Sequence, residues 1–249
     1  MINKNTRIIE NILSQINFKI QPYEFSNKKT IFRIKKKLFK ILGKENEFLD
    51  SQTLFSNTDN KDLILFNFLK KVERMSSISL AYIINKISQN LKKNENYVNI
   101  GLYKGFTLFA GMINTKCDVH GVDNFSFQNP KKEFFYNFNK IKDNNHFIHE
   151  IDYKKFFSLW ENKKKPINFY LYDANHSYED QLENLLIAKE FFIKDTIIMI
   201  DDTNHEWIER ATMDFISKYS DQYRVLKNIK TNYRKHPSFW NGFIIFEKK

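Results

Sequence analysis

Carboxylates and glycines in this chain stand where apolar runs stop. Residues 99–107 read Asn99-Ile100-Gly101-Leu102-Tyr103-Lys104-Gly105-Phe106-Thr107, with two glycines directly after an apolar stretch. Gly101 permits a sharp turn, and Gly105 permits close approach of backbone to a ligand. A helix beginning near Thr107 would offer unpaired N–H groups to a carboxylate. Alone, a G-x-x-x-G after a strand is equally the mark of a plain tight turn. It is not G-x-G-x-x-G, which disfavours a nicotinamide dinucleotide. Asp123 closes the next apolar run, 22 residues after Gly101. A carboxylate there can accept hydrogen bonds from both hydroxyls of a ribose. Together with the glycine turn, it points to a nucleoside cofactor. Asp152 follows a weaker run and is a candidate for the adenine amino group, or a surface-loop Asp.

Two further clusters are acidic. One is Asp173-Ala174-Asn175-His176-Ser177-Tyr178-Glu179-Asp180. Ser177 and Asp180 have capping-box spacing, so part of this motif is structural. Asp173 and His176 precede the helix and are placed to face a ligand. The other is Asp201-Asp202-Thr203-Asn204-His205. Asp173, Asp201 and Asp202 would end adjacent strands, where three carboxylates repel unless something positive lies among them. Oxygen-only ligands suit Mg²⁺, Mn²⁺ or Ca²⁺. His176 and His205 are alternative ligands that would shift preference toward a transition metal. Equally, one carboxylate caps a helix and another contacts the cofactor.

These groups need a scaffold that brings strand ends together. Strands are predicted over 97–100, 118–122, 147–149, 167–172 and 196–200, with helices from 107 to 113 and 178 to 192 between them. Such alternation implies a mainly parallel sheet. Ligands of such sheets bind in the crevice at the carboxyl ends of the strands. The runs at 223–229 and 242–247 have only a loop between them and must pair antiparallel. Residues 1–75 differ. Ile8, Ile9, Ile12, Leu13 and Ile16 have helical spacing, basic stretches such as Lys35-Lys36-Lys37 follow, and 77–91 reads as a helix leading into the first strand. We expect a helical N-terminal cap over 1–75 and the main domain over 76–249.

Composition bounds the rest. The chain has 249 residues, 42% of them hydrophobic and 25 of them Phe, enough for one α/β domain with a buried core. No apolar run reaches the length of a membrane span, and the first residues lack a signal-peptide core, so the expected location is cytoplasmic. The single Cys117 excludes an internal disulfide and a cysteine metal cluster. The formal charge of +11 is mostly Lys, with Arg at only 7, 33, 74, 210, 224 and 234. Few Arg and no Arg cluster argue against nucleic acid as a partner. A homo-oligomer stays open.

Residues 97–123, 149–152, 167–185 and 196–203 resemble the class I methyltransferases that depend on S-adenosylmethionine (SAM). The similarity is greatest to those with D-x-D-H-S-Y-E after the fourth strand and D-D after the fifth, the metal-dependent sugar O-methyltransferases. It spans roughly residues 75–249. The fold it implies is α/β and Rossmann-like, a mainly parallel seven-stranded sheet with an antiparallel terminal hairpin. Gly101, Tyr103, Gly105 and Thr107 would line the methionine end of SAM. Asp123 with Asn124 would hold the ribose, Asp152 with Tyr153 the adenine side, and Asp173 the donor end. Met75 and Ser76, in Glu73-Arg74-Met75-Ser76-Ser77, would fold over the cofactor. Asp173, Asp201 and Asp202 would bind Mg²⁺ or Mn²⁺. Two positions depart from the family. Asn99 stands where an acidic residue is usual, and Asn175 stands where the sugar enzymes place their base. Asn cannot take a proton, so His176, with Asp173 beside it, becomes the catalytic candidate, as base or as orienter. The implied reaction is methyl transfer to a sugar hydroxyl, on a nucleotide-activated sugar for capsule or lipopolysaccharide biosynthesis. Lysines of the cap are candidates to clamp its pyrophosphate. RNA ribose methylation, a catechol-type small-molecule reaction and a non-catalytic SAM-binding protein are the alternatives. Base methylation is disfavoured, because Asp173-Ala174-Asn175-His176 lacks the prolines that hold a flipped base.

Overall fold

Period-two alternation of side chains sorts this chain into two apolar layers on either side of one sheet. The computed structural model describes residues 3–22, 28–162 and 164–249. In chain order these form α1 (Lys4–Ser14), β1 (Ile16–Phe18), α2 (Lys28–Ile41), α3 (Glu45–Asp50), β2 (Thr53–Phe55), α4 (Asn60–Leu69) and α5 (Ile78–Gln89). There follow β3 (Asn96–Ile100), α6 (Phe106–Met112), β4 (Asp118–Val122), α7 (Lys131–Phe138), β5 (His146–His149) and α8 (Tyr153–Glu161). Last come β6 (Ile167–Tyr172), α9 (Tyr178–Ala188), β7 (Phe192–Asp201), α10 (Glu206–Lys218), β8 (Tyr223–Ile229) and β9 (Phe243–Lys248).

The seven-stranded sheet has the order β5-β4-β3-β6-β7-β9-β8. The first five of these strands pair parallel, and β9 runs antiparallel to both β7 and β8. Val98 pairs with His120 on one side and Tyr170 on the other. The chain leaves β3 toward β4 and later returns to β6 on β3's other side. This reversal opens a crevice above the carboxyl ends of β3 and β6.

One layer packs Tyr97, Phe169, Leu171, Met199, Phe243 and Ile245 against residues of α4, α5 and α6. The other packs Val98, Ile100, Tyr170, Ile198, Ile200 and Ile244 against α8, α9 and α10. Helix starts follow side-chain chemistry. Ser77 Oγ accepts from Leu80 N at the head of α5, and Ser177 accepts from Asp180 N at the head of α9. Asp59 and Asp62 form a reciprocal capping box at α4, each satisfying a helix-end N–H that has no partner within the helix.

Residues before α5 are not purely helical. β1 and β2 form an antiparallel pair, Ile16 opposite Phe55. Three-residue strands are too short to show alternation in sequence. Ile9, Ile12, Phe48, Leu49 and Leu65 share one continuous core with Tyr97 and Phe243 of the sheet. A polar clamp adds to it: Glu247, fully buried in β9, accepts from Asn5 Nδ2 at 2.7 Å and from Asn3 Nδ2, and pairs with Arg224. Among the described residues no helix is long and apolar enough to cross a membrane.

Candidate active site

The turn after β3 is built so that nothing larger than glycine fits. Gly101 has φ +85°, and a Cβ there would lie 2.0 Å from the carbonyl oxygen of Asp173. Gly105 has φ +95°, and its Cβ would meet the Phe109 ring at 2.3 Å. Tyr103 between them also has positive φ. Asn99, buried under the turn, donates from Nδ2 to the Gly101 carbonyl at 3.1 Å and accepts from the Tyr97 hydroxyl at 3.2 Å. An ionised carboxylate could not make the first of these bonds, so the departure from the family pattern at position 99 braces the loop.

Asp123 holds the same loop from the other side. Its Oδ2 accepts from the N–H groups of Leu102 at 2.7 Å and Tyr103 at 3.1 Å, and its Oδ1 from Phe125 at 2.6 Å. A carboxylate offers about four lone-pair sites, so three backbone bonds leave little for a ribose diol. Asp123 is thus an organiser of the loop.

Above this turn lies a cavity of about 970 Å³. Of the residues singled out from the sequence, Met75, Ser76, Gly101, Tyr103, Thr107, Asp123, Asn124, Asp152, Tyr153, Asp173, His176 and Asp202 line it, as does His205. Gly105 and Asp201 do not. Asp152 caps α8 by accepting from Lys154 N at 2.8 Å. The Tyr153 hydroxyl donates to Asp180 at 3.2 Å, and burial beside Asp180 and Glu183 raises its pKa. Arg74 also lines the cavity. It pairs with Asp50, and its guanidinium lies 4.8 Å from the Phe106 ring centroid. Its Nε and Nη1, and the Ser76 Oγ, are buried without a hydrogen-bond partner among the described residues. A glycine-floored cavity with unpaired buried donors fits a cofactor that carries a carboxylate and a nucleoside.

At one end of the cavity the acidic groups differ from the trio expected. Asp201 is 4% exposed, lies within β7 opposite Phe243, and its Oδ1 accepts the N–H of Asp202 at 2.9 Å. It does not line the cavity, although the register that sets Tyr172 opposite Ile200 carries it next to Asp173. Asp202 turns away from the strand with φ +59°. Its Oδ1 accepts from Asn241 Nδ2 at 2.7 Å, and its Oδ2 lies 3.2 Å from His176 Nε2. The ligand atoms that converge are those of His176, Asp202 and His205, all within 4.8 Å of one another. Asp173 sits beside them. Burial, then the carboxylates of Asp201, Asp202 and Asp123, push its pKa well above the carboxylate range. Burial and Asp202 raise that of Asp201 in the same way. Burial and Arg234 lower that of His205, which favours the neutral ring a metal requires.

Sequence reasoning missed the contribution of the β8–β9 connection. Lys235, Trp240 and Asn241 from this loop line the cavity. The one available signal was its length, long for a hairpin loop. The expected role of the N-terminal lysines is not supported. Among the described residues none before Arg74 lines the cavity, whose two lysines are Lys154 and Lys235. Lys35, Lys36 and Lys37 lie on α2, away from it.

A family model described as a methyltransferase domain matches residues 98–203, from within β3 to just past β7. No curated protein matches the chain in sequence. Among solved structures, an O-methyltransferase from Bacillus cereus in complex with SAH (S-adenosylhomocysteine) is similar with TM-score 0.57 at 13% identity, covering 78% of this chain and 92% of its own. A putative O-methyltransferase from Klebsiella pneumoniae has TM-score 0.56 at 11% identity, covering 87% and 96%. An SAH-bound methyltransferase from Podospora anserina has TM-score 0.55 at 12% identity, covering 92% and 100%. The chain thus has the Rossmann-like α/β methyltransferase fold, a mostly parallel seven-stranded sheet with antiparallel strands at its C-terminal side, and its centre matches a methyltransferase domain.

Proposed function

We propose that the chain is a SAM-dependent O-methyltransferase that acts, with a divalent cation, on a hydroxyl of a nucleotide-activated sugar. The observation that carries this reading is the cavity itself. A glycine turn that excludes any Cβ packs directly against Asp173, and Asp173, His176 and Asp202 line the same cavity. The Bacillus cereus and Podospora anserina structures of the same fold hold SAH, which supports an adenosyl cofactor here.

When bound, the cofactor supplies a methyl group on a sulfonium, and the cation supplies a Lewis acid that lowers the pKa of the acceptor hydroxyl. The chain's own residues do the positioning. Gly101, Tyr103 and Thr107 floor the methionine end, with Ser76 and Met75 above it. Asp123 fixes the loop, and its remaining lone pair would be available to the ribose. Asn124, Asp152 and Tyr153 line the adenine side. His176 and Asp173 are the proton acceptors at the reacting end. These residues would hold the acceptor oxygen in line with the methyl carbon, and the acceptor's hydroxyl proton would pass to His176 or Asp173. Holding the two reactants in that line is the larger part of the catalysis. Lys154 and Lys235 on the cavity wall suit an anionic acceptor, which supports the sugar-nucleotide reading and a place in surface polysaccharide synthesis.

Calorimetry with SAH, followed by a screen of nucleotide-sugars with labelled SAM with and without a chelator, tests this. We expect SAH uptake at one site per chain and methyl incorporation that the chelator abolishes. A protein that takes up neither SAH nor a divalent ion overturns the reading.

A further inference from the structure

Two histidines and a carboxylate meet where β6 and β7 deliver their loops. His176 lies between β6 and α9, Asp202 directly after β7, and His205 at the head of α10. One ligand atom of each lies within 4.8 Å of the other two. Nitrogen and oxygen ligands sit about 2.0–2.2 Å from a first-row ion, so two ligands on one ion are at most about 4.4 Å apart. The trio reaches that spacing by sub-ångström movement of side chains. Both rings are only partly buried and stand 5.1 Å apart at an interplanar angle of 40°, free to make it. Asp202 is already fixed. Asn241 holds Oδ1 at 2.7 Å, and Oδ2 is left toward His176 at 3.2 Å. A hydrogen-bonded carboxylate of this kind is how a metal ligand is oriented before the ion arrives.

We infer that His176, Asp202 and His205 form a two-histidine, one-carboxylate site for a divalent transition metal, in place of the all-carboxylate site at Asp173, Asp201 and Asp202 that the family resemblance implies. The donors decide the class of ion. Imidazole suits Zn²⁺, Fe²⁺, Ni²⁺ and Cu²⁺, while Mg²⁺ is served by oxygen ligands. Asp201 stays outside this trio, since its carboxyl does not line the cavity and its Oδ1 accepts a backbone N–H. Three protein ligands leave coordination positions open on the cavity side, where two neighbouring hydroxyls of an acceptor fit. His176 then becomes a ligand, and the role of proton acceptor falls to Asp173. This deepens the methyl-transfer reading and rests on it for what the open positions take, while the metal site itself stands independently.

The test titrates the full chain with Co²⁺ and, separately, measures SAH binding in the presence of a chelator. One Co²⁺ per chain is expected, and the Cu²⁺-loaded protein shows electron paramagnetic resonance couplings to imidazole nitrogen. His205→Phe weakens Co²⁺ binding by about 100-fold or more, whereas Asp201→Asn leaves it unchanged. Oxygen-only coordination overturns the inference, as does Co²⁺ binding lost in Asp201→Asn but kept in His205→Phe. Absence of Co²⁺ uptake beside intact SAH binding overturns it and leaves the methyltransferase reading standing. Loss of both ligands in the unmodified protein overturns both. If His205→Phe fails to fold, the nitrogen couplings of the unmodified protein decide.

Discussion

A methyl group added at residue 101 has no space to occupy. Gly101→Ala would place carbon 2.0 Å from the Asp173 carbonyl at a φ of +85°. The backbone strain alone costs about 1–3 kcal/mol, and the overlap adds to it. We expect a lower melting temperature and at least tenfold weaker SAH binding by calorimetry (about 1.4 kcal/mol). Unchanged SAH affinity would show that the turn does not floor the cofactor site. Cys117 offers a residue-scale test of packing. Burial pushes its thiol up to about 12, from about 9 in the unfolded chain. A thiol raised on folding stabilises the protein fully below its unfolded pKa, and that stability is lost as pH climbs from about 9 toward 12. Thiol reagents at mildly alkaline pH should therefore label Cys117 only after denaturant is added. Rapid labelling of the native protein would contradict its burial. Residue types and spacing were enough to place Gly101, Asp123, Asp173 and His176 around one crevice. They could not say which of Asp201 and Asp202 faces it. That choice depends on where β7 ends and on a positive φ at Asp202, neither of which residue identity reveals.

Helices α5 and α6 are joined by one amide. Asn85, fully buried, donates from Nδ2 to the carbonyls of Ala110 at 2.7 Å and Ile113 at 2.8 Å. These are carbonyls at the end of α6, which lack partners within their own helix. Asn85→Leu keeps the volume and removes both donors, leaving two buried acceptors unpaired at about 1–3 kcal/mol each. A denaturant midpoint lowered accordingly, with an unchanged slope, is the expected result. A midpoint at the native value would mean that water reaches those carbonyls. At this scale the strongly periodic elements were legible: β3, β4, β6, β7 and the closing antiparallel strands follow from apolar runs and turn residues. β1 and β2 were hidden by their brevity. The site residues of the β8–β9 loop were hidden because loop conformation is set by tertiary contacts. There Asn204 Nδ2 donates to the Thr231 carbonyl at 2.9 Å, and Asn241 reaches across to Asp202.

Across the whole molecule the N-terminal elements are part of the sheet's support. Their apolar side chains share its core, and Asn3 and Asn5 partner a buried carboxylate in β9. Removing residues 1–14 strips Glu247 of both amides and leaves only Arg224. Breaking one side of a buried charged network costs about 3–5 kcal/mol. The shortened chain should melt well below the full one, and the full chain should melt in a single calorimetric transition. Two resolved transitions would mean that the segment before α5 folds alone.

The place of β9 within the sheet has a kinetic consequence. It is the last strand in sequence, yet it lies between β7 and β8. Until it inserts, β7 is an open edge carrying Ile197, Ile198, Met199 and Ile200, the kind of hydrophobic margin that recruits foreign chains. The first helix cannot complete its docking either, since Asn5 bonds Glu247 of β9 as well as the Asp195 carbonyl. Folding must therefore bring Phe243 back to Asp201 and Glu247 back to Ile197, past a helix and a strand, before its sheet is sealed, and such non-local pairing is slow. Refolding from denaturant should yield less monomer as protein concentration rises, because the waiting edge finds another molecule before it finds its own final strand.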